Sequence, residues 1–248
     1  MKNVQCGGLI FGQGLPKICV PLVGKSIQEI EQEYQKVQSL PADFLEWRAD
    51  CFEEDIESVL SFFREKNGTV KRKIPVLATL RTRNEGGQWE GNPQEYESLL
   101  SKLMESKLFQ MIDIEFSSGA STVAAMILKA KKYGMLSVVS KHDFLKTPPV
   151  NEIYRDFITM KKWGADLPKY AAMPQNTEDV LNLMTTSLQA ERQVGPLIAI
   201  SMGKLGKLTR IGGHFFGSSV TFAAGADASA PGQIPCEEVY RCLQMLEY

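Results

Sequence analysis

The chain has 248 residues, 44% hydrophobic and 23% charged, with 28 basic and 29 acidic side chains. That ordinary globular balance and a net charge of −1 exclude a disordered or fibrous chain, and give no reason to expect nucleic acid or an anionic membrane as partner. Five scattered cysteines without a Cys-x-x-Cys pair, only two histidines, no leader-like opening and no apolar run near ~18 residues argue against a disulfide framework, a thiolate or multi-histidine metal site, and a membrane span. A reducing cytoplasm fits best.

In chain order, residues 4–17 are rich in glycine and read as a short β-hairpin closing the N-terminal end of the fold. Eight short apolar runs then recur, at 18–23, 44–49, 75–81, 111–116, 136–140, 166–172, 197–202 and 218–223. Their length and β-branched content suit buried parallel strands. Helix signals lie between them. Ser26-Ile27-Gln28-Glu29 reads as a capping box, and Asn92-Pro93 as an N-cap with proline at the first helical position. Val123, Met126, Ile127 and Ala130 repeat at helical spacing, as do Val239, Cys242, Leu243 and Leu246. Eight strand–helix alternations without a linker predict an α/β fold, one (β/α)8 TIM barrel over residues 1–248. A doubly wound sheet is the alternative, but its glycine-rich phosphate loop after the first strand is missing.

Side chains of a barrel strand alternate between lumen and helix layer, and catalytic groups sit at the C-terminal ends. The second strand brings Glu46 and Arg48 to one face, the third Thr79 and Arg81, the fourth Asp113 and Glu115, the fifth Ser140 and His142, and the sixth Lys169. A structural ion-pair network is the plain alternative for Asp113, Glu46 and one arginine, yet burying so many charges costs several kcal/mol each. Lys169, inside Leu167-Pro168-Lys169-Tyr170-Ala171, has little reach to water. Desolvation and neighbouring guanidinium groups would both disfavour its ammonium form and leave an amine able to attack a carbonyl. Lys141 is out of phase and should face the helices; Lys146 lies in a loop. His142 meets the Lys169 face with the pKa range of an acid–base group. His214, in Gly212-Gly213-His214-Phe215, reads as a surface-loop residue.

Glu46-Trp47-Arg48-Ala49-Asp50, Arg81-Thr82 with Glu85-Gly86-Gly87, Ser140-Lys141-His142-Asp143-Phe144, Lys169, Ser201-Met202-Gly203, Arg210 and Ala228-Ser229-Ala230-Pro231-Gly232-Gln233 together resemble the class I 3-dehydroquinate dehydratases. The ordered set runs from about residue 16 to the end of the chain. Thr209 and Cys51 depart from the usual serine and histidine of that pattern, at positions given no chemical role. The resemblance implies dehydration of 3-dehydroquinate to 3-dehydroshikimate through a Schiff base on Lys169. It implies His142 as general acid–base, with Glu85 orienting it. Arg210 would take the substrate carboxylate, and Glu46, Arg48 and Arg81 the ring hydroxyls. Ser229 and Gln233 would close from the loop after the eighth strand, and residues 225–235 would form a mobile lid with little apolar area to anchor it. No metal or organic cofactor is implied, and family members are commonly homodimers. A class I aldolase would also use an imine lysine, but no phosphate cradle is found. A non-catalytic sensor of quinate-like ligands should lack Lys169 or His142. Biosynthetic and quinate-degrading roles both remain open, as does a structural against a functional role for Asp113 and Glu115.

Overall fold

The computed structural model describes residues 3–69, 74–225 and 229–247. The opening glycine-rich segment is a hairpin, β1 (Val4–Cys6) against β2 (Leu9–Phe11). Its two-residue turn places both Gly7 (φ 55°) and Gly8 (φ 86°) in the left-handed region, which side chains resist. The strand–helix units come after it. They are β3 (Lys17–Leu22) with α1 (Ile27–Gln38), β4 (Phe44–Arg48) with α2 (Ile56–Thr69), β5 (Val76–Thr79) with α3 (Pro93–Glu105), and β6 (Met111–Glu115) with α4 (Ala120–Lys132). Then come β7 (Leu136–Asp143) with α5 (Val150–Lys162), β8 (Leu167–Ala172) with α6 (Thr177–Val194), β9 (Ile198–Ser201) with α7 (Lys207–Ile211), and β10 (Val220–Phe222) with α8 (Cys236–Met245).

The eight strands β3 to β10 pair in parallel in the order β10-β3-β4-β5-β6-β7-β8-β9. The ring closes at a thin seam. Leu197 bridges Ser218, Ser219 N donates to Leu197 O at 2.8 Å, and the Ser218 hydroxyl accepts from Ala199 N at 3.0 Å where a ladder carbonyl would otherwise stand. This is the (β/α)8 barrel with an N-terminal hairpin that the sequence predicts. Among the described residues no helix is long and apolar enough to cross a membrane.

Period-two alternation divides the interior. Leu45, Trp47, Ala78, Ile112, Val139 and Tyr170 point outward into the layer beneath the helices, where Trp47 stacks on Phe109 at 5.5 Å. Burying side chains of that size is worth roughly 1.5–3 kcal/mol each, so this layer carries much of the stability. The inward positions Phe44, Leu77, Met111, Leu136, Leu167, Ile198 and Val220 meet in the lower lumen. Phe11 from the hairpin inserts beneath them, fully buried and edge-on to Phe44 at 5.9 Å. The hairpin therefore plugs the lumen.

Several boundaries differ from expectation. β5 ends at Thr79, two residues before Arg81, and β7 continues to Asp143 because it pairs with β8 through His142↔Ala171 and Asp143↔Ala172. Asn92 forms a full capping box with Glu95, with Pro93 at the first helical position. Ser26 also caps, accepting from Glu29 N at 3.3 Å, but Glu29 reaches one residue further back, to Lys25 N at 2.7 Å, so that box does not close.

Candidate active site

Above the apolar plug the inward positions turn polar. Glu46, Thr79, Asp113, Ser140 and Lys169 form this level, all buried. Lys169 is 4% exposed; its Nζ lies 3.5 Å from Asp113 Oδ2, 3.8 Å from Glu46 Oε1 and 4.4 Å from the centre of the Phe222 ring. The charges beside the amine are thus carboxylates, where sequence reasoning expected guanidinium groups. Asp113 and Glu46 share its level, whereas Arg48 turns to Asp50 and Arg81 is taken up by Asp113, Glu115 and Ser140. Lys141 points outward as expected, its Nζ 2.7 Å from Asp156 on α5.

Arg81 binds the polar level together. Its NH1 donates to Glu115 Oε1 at 2.9 Å and Ser140 Oγ at 3.0 Å, and its NH2 lies 2.8 Å from Asp113 Oδ1. Ser140 in turn donates to Asp113 Oδ1 at 2.6 Å. Burial pushes the Asp113 carboxyl up, but Arg81, Lys169 and these hydrogen bonds hold it below the ordinary range. Burial works against the Arg81 cation too, and Asp113, Glu115 and Glu85 more than reverse it. Glu115 also accepts from Thr82 N at 2.8 Å and Thr82 Oγ1 at 2.7 Å, which fixes the chain leaving β5.

His142 and Glu85 stand at the rim of this level. Glu85 comes from the short 3-10 turn after β5, and its Oε2 accepts from both His142 Nδ1 (2.9 Å) and His142 N (3.0 Å). Ser117 donates to the other oxygen, Oε1, at 2.6 Å. Burial pushes Glu85 up to about 7, with Glu115 and Asp113 adding and Arg81 opposing. The imidazole is held well below its usual value by burial first, then by Arg81, Lys169 and Arg48. A neutral ring that keeps its proton on Nδ1 and donates that N–H to Glu85 leaves Nε2 as an acceptor for the pocket.

Arg48 forks onto Asp50 through Nε (2.8 Å) and NH2 (2.7 Å), and Asp50 also accepts from Arg81 N (3.2 Å) and Gln88 N (3.0 Å). Arg210 is different. It comes from the short helix α7, not from a strand, and among the described residues its NH1 and NH2 donate to the carbonyls of Phe222 and Pro231, each at 3.0 Å. It is 2% exposed, no described carboxylate pairs with it, and its Nε finds no partner among the described residues. Burial lowers its pKa to about 10. A buried, uncompensated guanidinium is a ready receptor for an anion.

The loop after β10 supplies the remaining wall. Gln233 Oε1 accepts from Ser229 N at 2.7 Å, and Gln233 Nε2 donates to Ser229 Oγ at 3.0 Å. Pro231 O accepts from Gly203 N at 3.1 Å and from Arg210, and a side chain at Gly232 (φ 78°) would strike Gly203 O at 2.1 Å. Residues 229–235 are thus held by polar anchors, their backbone and Arg210, which the expectation of little apolar area did not include; 226–228 of the proposed lid lie outside the described residues.

One cavity of about 230 Å³ joins the nine residues for which the sequence suggested a catalytic or substrate-binding role, Lys169, His142, Glu85, Glu46, Arg48, Arg81, Arg210, Ser229 and Gln233. Phe144, Ile200, Met202 and Phe222 supply the larger apolar part of its wall. Carrying the same alternation into the seventh and eighth strands finds Ile200, Met202 and Phe222. Asp50, quoted within a motif but given no role, ties Arg48 in place. Ser117 carries no sequence signal, since it lies in a turn after a strand. His214 lies elsewhere, with Nε2 3.1 Å from Leu246 O near the end of the described chain.

Residues 18–248 match the sequence profile of type I 3-dehydroquinase. The chain is similar to the 3-dehydroquinate dehydratase of Syntrophotalea carbinolica, with 39% identity over 99% of this chain and 98% of the relative. It superposes on the 3-dehydroquinate dehydratase of Geobacillus kaustophilus with a TM-score of 0.93 at 36% identity, covering 99% of this chain and 96% of that one. The type I enzyme of Clostridium difficile, solved with covalently modified comenic acid, gives a TM-score of 0.92 at 36% identity, covering 99% and 97%.

Proposed function

We propose, given that this chain belongs to the type I 3-dehydroquinase family, that it dehydrates 3-dehydroquinate to 3-dehydroshikimate through an imine at Lys169. The observation that carries the residue assignment is the meeting of a buried lysine amine and a Glu85-bound imidazole in one cavity with an arginine that has no counter-ion among the described residues. Lys169 Nζ attacks the ketone and, with loss of water, forms an iminium that withdraws electrons from the adjacent C2–H bond. Asp113 and Glu46, beside Nζ, offset the cationic nitrogen. His142 Nε2 removes the C2 proton, and the electron pair passes into the enamine. Collapse of the enamine expels the C1 hydroxyl, which takes that proton from the imidazolium and leaves as water. Hydrolysis of the conjugated iminium frees Lys169 and the product.

Arg210 meets the substrate carboxylate, with Ser229 and Gln233 beside it, while Glu46, Arg48 and the open edge of Arg81 meet the ring hydroxyls. Glu85 fixes the tautomer of His142. The chemistry calls for no metal or organic cofactor, since the iminium is the electron sink. Residues 1–248 act as one catalytic unit on a small molecule, with neither nucleic acid nor membrane as partner. A homodimer in a reducing cytoplasm fits the family and the lack of a disulfide among the described cysteines; sedimentation velocity tests the dimer.

The test of the imine is borohydride reduction in the presence of 3-dehydroquinate, then intact mass and peptide mapping. One reduced ligand on Lys169 and an inactive Lys169→Ala are expected. A label on Lys141 or Lys146, or full activity in Lys169→Ala, ends the assignment.

A further inference from the structure

We infer that Ser117 is a positioning residue that sets the tautomer of His142 by holding the Glu85 carboxylate in its ionised, His-facing orientation, an inference that rests on the acid–base roles proposed above. Ser117 lies outside the substrate cavity, in the 3-10 turn after β6, and is solvent-exposed, whereas Glu85 is only 4% exposed. Its hydroxyl makes the 2.6 Å bond to Glu85 Oε1, while Oε2 serves the imidazole and the backbone N–H of His142. The groups facing Glu85 are Arg81 after β5, at 3.7 Å, Glu115 and Asp113 of β6, and His142 of β7. Arg81 spends its nearer contacts on Asp113, Glu115 and Ser140, so it does not hold Oε1.

The consequence is electrostatic and geometric together. An ionised Glu85 can only accept, so Nδ1 keeps the proton and Nε2 stays free to act as base. A protonated Glu85 can donate to Nδ1, which moves the ring proton to Nε2 and disarms it. Ser117 donates a hydrogen bond that favours the carboxylate, opposing burial and the neighbouring acids, which leave Glu85 near neutrality at about 7. Without that donor the carboxyl titrates at higher pH, and the productive tautomer is lost over a range where the wild type still has it.

The experiment compares wild type, Ser117→Ala and Ser117→Thr by pH–rate profile and by 15N spectra of the histidine rings, of which the chain has only two. Ser117→Ala should shift the acidic limb of kcat upward by roughly one pH unit, about the scale of one hydrogen bond to a charged group. At pH 6 that is about a tenfold loss against wild type, with KM and the alkaline plateau kept. The midpoint of the His142 tautomer change should move with it, and Ser117→Thr should restore both. If His142→Ala turned over normally, the base assignment would fail, and the tautomer midpoint alone would then decide on Ser117. A Ser117→Ala midpoint superimposable on wild type, or no restoration by threonine, overturns the inference.

Discussion

Replacing Arg210 by methionine is expected to stabilise the empty protein while crippling substrate capture. The guanidinium is buried beside two carbonyls with no described counter-ion, and burial takes its pKa from 12.5 to about 10. A drop of that size corresponds to about 3 kcal/mol against the charged form. Because the folded pKa of a cation is depressed, this cost is fully present at neutral pH and is relieved only as pH rises through about 10. Methionine removes the cost and fills similar space. It leaves the carbonyls of Phe222 and Pro231 short of a donor, at about 1 kcal/mol each. The net expectation is a gain of about 1 kcal/mol in urea unfolding, constant from pH 6 to 8. Two charge-assisted bonds to a carboxylate are worth about 1.5–3 kcal/mol each, so KM should rise by at least ~10²-fold. Ligand should also stabilise the wild type against urea and not the variant. A variant more than ~2 kcal/mol less stable, with unchanged KM, would refute this account of Arg210.

His142→Ala should lower kcat by at least ~10²-fold with little change in KM, as steady-state kinetics would show; near-normal turnover would return the residue to a structural role. Asp113→Asn deprives Arg81 and Lys169 of a buried counter-charge at 2.8 and 3.5 Å, and should cost about 3–5 kcal/mol in denaturant melts even though the Ser140 bond can persist. Gln233→Ala should raise KM clearly while trapping at Lys169 survives; trapping that disappears with KM unchanged would contradict it.

Much of the site was legible because a strand's period is two. That rule alone put Glu46, Asp113, Ser140, His142 and Lys169 on one face and Lys141 on the other, and the strands of the barrel carry them so. What it could not supply was height along the barrel axis, which depends on how neighbouring strands are staggered. An ion-pair network of Asp113, Glu46 and one arginine was among the expectations, but not that the carboxylates would stand nearer Lys169 than the guanidinium groups, nor that Arg81 would be the arginine they engage. Arg210 and Ser117 lie on a helical turn and a post-strand turn, where no strand period exists to place a side chain. The seam between β9 and β10 depends on the Ser218 hydroxyl standing in for a backbone group, which no propensity anticipates.

The hairpin beneath the barrel has a bearing on traffic. With Phe11 seated under the ring of Phe44, Leu77 and Met111, the lumen is a well closed from below among the described residues. Substrate and product must use the same doorway, and neither can pass the other in it. Turnover is therefore a strict alternation of arrival and departure, and product competes with substrate for the well.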